Sequence, residues 1–445
     1  MRLLALALPV MANNLLTAGM SMTDAIMAGR ISAHDLAAIA VGGSIYMPFF
    51  LLALGVLVAI NPSAAHLHGA GNRGQIGAVV RQGLWLALAL AALLMFGFRF
   101  LAPLFHAVGV QPALIGESSS YVIAVAWGLP AMLAYLVLRF ASEGIGHTRP
   151  MFYVALAGFL LNIPLDYLFM FGGFGVPAMG AIGCGYATAV VMWVDLAVML
   201  AYIFSARRRY GPLRLFTSFD LPRFDPIVKL LHLGVPMGVM LFAEVSLFGA
   251  VALLMATLGT VAVAAHQVAL AVASFSFMVP MGLSTAISVV VGQALGAGDQ
   301  ARARRSGFVG IGLALAFELL AAMLMLGLRH SIAALFTGDA AVVALASRLL
   351  VLAAAFQLSD GLQVASAGAL RGFKDTRVPM WITLIAYWGV GLTLAWWLGV
   401  DLKTGPVGVW IGLIAGLTVA GLLLFTRYAW YSRGPREDAA MRSVS

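Results

Sequence analysis

Twelve apolar runs set the limits on what this chain can fold into. They lie near residues 3–27, 37–66, 78–105, 119–141, 150–172, 180–205, 230–258, 261–292, 306–328, 341–368, 377–399 and 406–430. About 20 helical residues rising 1.5 Å each cross the ~30 Å hydrocarbon core of a bilayer. The runs are continuous, not ten-residue alternations, which excludes a closed β-barrel. Only 10% of the chain is charged and 62% is hydrophobic, whereas soluble domains carry about 25% charged residues. The expected fold is therefore an all-α polytopic membrane protein with twelve transmembrane helices. The first run is too long for a cleaved signal peptide and lacks its flanks, so it reads as a true span. Cys184 is the single cysteine, which rules out an intramolecular disulfide.

The net charge of +9 is no nucleic-acid footprint, because the basic residues sit in short loops between apolar runs. All Lys and Arg except Arg30, Arg99, Arg329, Arg348 and Lys403 fall on one side of the twelve spans. By the positive-inside rule that side is cytoplasmic, so both termini are inside. The longest polar connection, 205–225, carries Arg207, Arg208 and Arg209 and reads as a linker and a basic anchor against anionic lipid headgroups. The expected organisation is a six-helix lobe over 1–205, a cytoplasmic linker over 206–226, a second lobe over 227–430 and a cytoplasmic tail over 431–445.

The halves repeat. Pro9 matches Pro236, Ala37 and Ala38 match Ala264 and Ala265, Gly55 matches Gly282, and Gly69 to Gly71 match Gly296 to Gly298, all at an offset of 227. Gly144 matches Gly372, and Thr148 and Arg149 match Thr376 and Arg377, at 228. Six spans separate each pair, so the repeats are parallel and related by a pseudo-twofold along the membrane normal. Transporters commonly place substrate and ion sites in or between such repeats.

Six acids fall inside spans: Asp24, Asp166, Asp195, Glu244, Glu318 and Asp360. Arg99 and Arg348 are the basic residues nearest in depth, and both lie toward the outer face. A bare carboxylate in hydrocarbon costs about 2.5–3.5 kcal/mol on insertion scales. With few bases to pair with, these acids need a proton or an imported cation. Glu244 and Asp360 form the leading pair, Asp360 lying among Gln357, Ser359 and Gln363. Asp24 follows. Asn162 and Asp166 are four residues apart and share a helix face. Asp195 and Glu318 stand alone and read as structural pairs or interface residues.

Other signals are weaker. Gln267 follows His266, and an interhelical hydrogen bond explains it as well as a ligand contact does. His66 and His68, two apart, point to different faces of a helix and do not suggest a metal site. Met237, Met240, Phe275 and Met278, with Gln267, Phe356 and Gln357, are candidates for an adaptable cavity, since methionine and aromatic side chains repack around varied ligands. Lipid-facing or core packing accounts for the same residues. Pro9, Pro130, Pro236 and Pro280 mark places where helices could bend.

Taken as a set, several motifs resemble the multidrug and toxic compound extrusion (MATE) family, in its NorM-like bacterial branch. They are LPVM at 8–11, TDAIMAG at 23–29, GAGN at 69–72, GVPM at 234–237, FAEV at 242–245, AAHQ at 264–267, GAGD at 296–299, and SD at 359–360 followed by LRGFKDT at 370–376. The resemblance covers essentially all twelve spans. It implies two six-helix lobes forming a V, and drug export driven by entry of Na⁺ or H⁺. The family's second-lobe cation site maps onto Glu244 and Asp360. Its first-lobe aspartate maps onto Asp24, with Asn162 and Asp166 as polar neighbours. One departure concerns a tyrosine that NorM-like sodium sites carry one turn before the second-lobe aspartate. Here that position is Phe356, which removes an oxygen. The lead before the first span also looks short for the family.

These readings converge on a cation-coupled antiporter, not an enzyme. It would export amphipathic, mostly cationic organic compounds, acting as a monomer without a cofactor and exchanging them for a monovalent cation. Rivals are a flippase for lipid-linked saccharides, expected to carry a more cationic cavity, and a passive ion channel. No nucleophile motif, HExxH or phosphate loop supports an enzyme.

Overall fold

Apolar length makes the helices, and proline and glycine decide where they bend. The computed structural model describes residues 2–107 and 109–433. Helix α1 (Arg2–Ile31) is followed by α2 (Ala33–Leu57) and α3 (Ile60–Gly69), an interrupted pair, then α4 (Arg73–Phe98) and the short α5 (Leu101–Ala107). Next come α6 (Pro112–Ala126), α7 (Leu129–Gly144), α8 (Arg149–Asp166) with a π turn over Tyr167–Phe171, α9 (Gly180–Ser205) and α10 (Arg207–Tyr210). The second half holds α11 (Phe224–Thr257), α12 (Thr260–Gly296), α13 (Gln300–Phe336) and α14 (Ala340–Gly372). It ends with α15 (Arg377–Leu384), which runs through π turns at Ile385–Leu392 and Trp397–Asp401 around α16 (Thr393–Trp396), and with α17 (Pro406–Tyr431).

Helices α6 and α7 meet at 47°, where Trp127 and Gly128 interrupt the ladder and Pro130 opens the next helix. Proline has no N–H to continue the hydrogen bonding, so a bend there is expected. With that pair counted as one span, the described residues hold twelve, as the apolar runs predict. Residues 434–445 of the expected tail, with Arg436 and Arg442, lie outside the described residues.

The internal repeat extends to individual hydrogen bonds. Ala70 N–H donates to His66 O and Asn72 N–H to Leu67 O; Ala297 and Asp299 do the same to Gln293 and Ala294. Gly146 N–H donates to Glu143 O and His147 N–H to Ser142 O; Lys374 and Asp375 repeat this with Arg371 and Leu370. Both Gly146 and Lys374 take a positive φ, +78° and +61°.

Two compact units emerge. One is Leu8–Gly238; the other is the chain from Val239 onward together with the start of α1. The first packs around Leu57, Ile60, Leu129, Leu133 and Leu136. Within it α2 meets α11 backbone to backbone, and a side chain on Gly55 would collide with Gly238. The linker belongs to this unit because α4 clamps it. Arg81 Nε meets Asp220 Oδ2 at 2.6 Å, Trp85 Nε1 donates to Asp220 O, and Gln82 bonds Leu221 O and Arg223 N–H. The Arg81 hydrogen bond holds the Asp220 carboxyl below the usual carboxylate range. The second unit packs around Leu349, Leu350, Tyr387, Trp410 and Leu413.

Candidate functional site

An acid buried in an apolar helical unit needs a partner, and Glu143 shows what a structural partner looks like. It is buried near the end of α7, meets Arg139 Nε at 2.9 Å and accepts from Asn61 Nδ2 at 3.1 Å. Among the described residues, none of the six acids deep in the spans has such a base. The ion pairs seen among the described residues join His34 to Glu117, Arg81 to Asp220, Arg139 to Glu143 and Arg427 to Asp375.

Three of the six gather inside the second unit. Asp360 on α14 is 4% exposed and lies within electrostatic reach of Glu244 on α11 and Glu318 on α13. Glu318 is wholly buried; Ser276 Oγ on α12 donates to its Oε2 at 3.2 Å, while Oε1 has no partner. Tyr387 lies within reach of both Glu244 and Asp360, its buried hydroxyl unpaired. Elsewhere in this unit, the Gln357 amide, Gln363 Oε1, Thr383 Oγ1, both His266 ring nitrogens and the Trp410 indole N–H are also buried without hydrogen-bond partners. Buried polar groups are normally satisfied. The three acids and the unpaired Tyr387 hydroxyl together have the donors and acceptors to hold protons, water or a hard cation.

The remaining buried acids lie in the first unit. Asn162 Nδ2 on α8 donates to Asp24 Oδ1 on α1 at 3.1 Å. Ligand atoms of Asp24, Asp166 and the Cys184 thiol on α9 all lie within 4.8 Å of one another. Asp166 is fully buried with both carboxyl oxygens unpaired, and the Asn162 carbonyl is likewise unpaired. The i, i+4 spacing of Asn162 and Asp166 therefore does aim both at Asp24. Asp195 is separate: its buried Oδ1 sits beside Gly158, unpaired.

The cavity candidates scatter. Phe356 is 3% exposed and packs edge-on against Phe248 and Trp410, with ring centroids 6.2 and 5.8 Å away, so its ring is core. Gln357 is buried beside it. Met237 lies in the apolar core of the first unit. Gln267 and Phe275 are exposed, and Met240 and Met278 are half-buried.

Sequence reasoning missed three members of the two clusters. Glu318 was expected to be a structural pair or an interface residue, but it is buried beside Asp360 with no base. Its signal was a stripe of Gly310, Ala314, Glu318 and Ala322 at four-residue spacing, all buried on α13. Tyr387 follows the start of a π turn, where the 3.6-residue period stops predicting which face a side chain takes. Cys184 carried no local signal at all.

Known proteins agree with this architecture. The MatE family model matches residues 9–168 and again 236–397, once in each half. Multidrug resistance protein PmpM of Pseudomonas aeruginosa is 44% identical over 99% of this chain and 95% of its own length. Multidrug resistance protein MdtK of Yersinia pseudotuberculosis is 41% identical over 99% and 98%. Among solved structures, the eukaryotic MATE transporter AtDTX14 superposes with a TM-score of 0.87 at 20% identity, covering 97% of each chain. An outward-facing multidrug resistance MATE family transporter of the MOP superfamily gives 0.89, also at 20% identity, over 97% of this chain and 95% of that one. At that identity the structures establish the fold alone. Two full-length matches above 40% identity and a family model that recurs in each half establish the lineage: the chain belongs to the MatE family of membrane transporters.

Proposed function

We propose that the protein is a multidrug efflux antiporter of the bacterial inner membrane, with both termini cytoplasmic, that exchanges organic cations for protons by alternating access. One observation carries this reading: the deep acids have no Lys or Arg partner among the described residues. Something mobile must neutralise them. Two donor sets favour a proton over sodium. At the first, a thiol lies beside Asp24 and Asp166, with the Asn162 amide as a further polar partner, and hard cations prefer oxygen ligands. At the second, three carboxyls lie near one another, Asp360 and Glu318 buried and Glu244 half-buried, and protons can neutralise each without a fixed coordination number. Phe356 supplies no oxygen there, although the Tyr387 hydroxyl partly makes up for it.

In this scheme a drug binds the state in which the acids are ionised, and proton entry favours the other state. Both ligands must discriminate between the two states, or no exchange follows. Inward proton movement is driven by about 2.3 kcal/mol per charge for each 100 mV. The test is ethidium efflux from proteoliposomes under separately imposed gradients. Efflux should follow a pH gradient and vanish in Glu244→Gln and Asp360→Asn proteins that remain folded. Efflux driven by sodium alone would overturn the choice of proton, and full efflux by either variant would remove the site.

A further inference from the structure

On the basic face of the first unit, a cleft of about 280 Å³ opens between the end of α3, the α7–α8 loop and α10. His68, Arg73, Ile145, Gly146, His147, Arg208, Arg209 and Leu213 line it, with no acid among them. Arg73, Arg208 and Arg209 take part in none of the ion pairs seen among the described residues.

His147 builds the wall. It is buried, its Nε2 meets the Tyr202 hydroxyl at 3.0 Å, and its Nδ1 contacts Arg209 Nη1. Ser142 Oγ donates to the His147 carbonyl at 2.8 Å and meets the Tyr210 hydroxyl at 2.5 Å, which fixes the loop against the start of the linker. Burial, with the charges of Arg209 and Arg149, pushes the His147 imidazole down to about 4. At neutral pH the ring is uncharged, so it orients Arg209 without cancelling its charge.

The second repeat provides an internal control. His147 and Asp375 occupy the same position in loops with the same hydrogen bonds. There the Asp375 carboxylate meets Arg427 Nε at 2.9 Å and neutralises it. Asn72, just before Arg73, corresponds in the same way to Asp299, which caps α13 by accepting from Arg302 N–H at 2.9 Å. Both loop carboxylates of the second repeat are thus neutral groups in the first. The first unit keeps its arginines and lacks the acids that would balance them.

We propose that this cleft is a binding site for a phosphate-bearing anion, with Arg73, Arg208 and Arg209 supplying the charge and His147 holding Arg209 in place. Guanidinium groups match phosphate oxygens in charge and in paired hydrogen-bond geometry. Two sources share that chemistry: the headgroup of an anionic lipid in the adjoining leaflet, and a soluble phosphate. Exposed Phe152, Tyr153 and Phe204 lie in the first two turns of α8 and the last turn of α9, next to the loops that form the cleft, and would suit an acyl chain.

The test uses the full chain, delipidated in neutral detergent. Native mass spectrometry follows titration with phosphatidylglycerol against phosphatidylcholine. A thermal-shift series compares sodium phosphate with sodium chloride at equal ionic strength. The wild type should bind at least one phosphate anion in preference to its control. Preference for phosphatidylglycerol alone identifies a lipid site; a shift with inorganic phosphate identifies a soluble ligand. Arg208→Gln with Arg209→Gln should weaken binding about tenfold or more. His147→Asp, which installs the carboxylate of the second repeat, should do the same while the ligand-free melting temperature is kept or raised. Removing Arg302 and Arg305, two charges from the other repeat, should leave binding within about twofold. Equal binding by wild type and the Arg208/Arg209 variant, or no preference for either anion, would overturn the proposal.

Discussion

Asn162 Nδ2 donates to Asp24 Oδ1 across 3.1 Å, joining α8 to α1 at the point where Asp166 and Cys184 also converge. If this carboxyl pair exchanges a proton with the drug, Asp24→Asn should abolish proton-driven efflux with the protein still folded. Asn162→Ala removes only one hydrogen bond to a charged group. It should cost about tenfold in efflux rate, the order expected for a charge-assisted bond. Efflux assays in vesicles check both, and wild-type rates from Asp24→Asn would contradict the assignment.

Cys184 gives a sharper view of ion choice. A thiol is a soft ligand, so the wild type should show no sodium-dependent rise in melting temperature when sodium replaces choline at constant ionic strength. Cys184→Ser places a hard oxygen beside the same two carboxyls and should introduce such a rise. An equal sodium response in both proteins would mean that the thiol does not govern selectivity.

Glu318 and Gly361 test the second cluster. Glu318→Gln should fold and lose about tenfold or more in coupled efflux. A Cβ added at Gly361 would lie 2.7 Å from Glu318 Cγ. Gly361→Ala must therefore displace that side chain, and should lower both melting temperature and efflux, at a cost of about 1–3 kcal/mol for overpacking. Unchanged efflux in both variants would leave Glu318 as a bystander.

His147 predicts a pH dependence of stability. Its folded-state value of about 4 lies below the ordinary 6.5, so the unfolded chain binds the proton more readily. Stability from this group is complete above about pH 6.5 and is lost as pH falls toward 4. His147→Asn should flatten the melting temperature over that window relative to wild type. A wild-type curve already flat between pH 6.5 and 4 would contradict it.

Much of this was legible in the chain. Apolar length located the spans, because crossing hydrocarbon requires it. The 227- and 228-residue offsets located loops that agree hydrogen bond for hydrogen bond. Asn162 and Asp166 could be paired from helical spacing alone. Glu318, Tyr387 and Cys184 could not, because each sits on a helix of its own with no helical-spacing partner in the cluster, and Tyr387 lies past the start of a π turn that shifts its face. Phe356 reads as a lost sodium ligand in the sequence; in the fold it is also a packing residue between Phe248 and Trp410. The linker reads as a polar connection and basic anchor; in the fold Tyr210, Leu213 and Leu215 are also buried and Arg81 fastens it to α4.

The most direct measurement is the proton count on drug binding. Purified wild-type protein in weakly buffered detergent, titrated with ethidium beside a pH indicator, should release protons in proportion to drug bound. Asp24→Asn and Asp360→Asn should each reduce the number released, and the double variant should release fewer than either. Saturable ethidium binding by the wild type with no change in pH would contradict the claim that these acids exchange protons for drug.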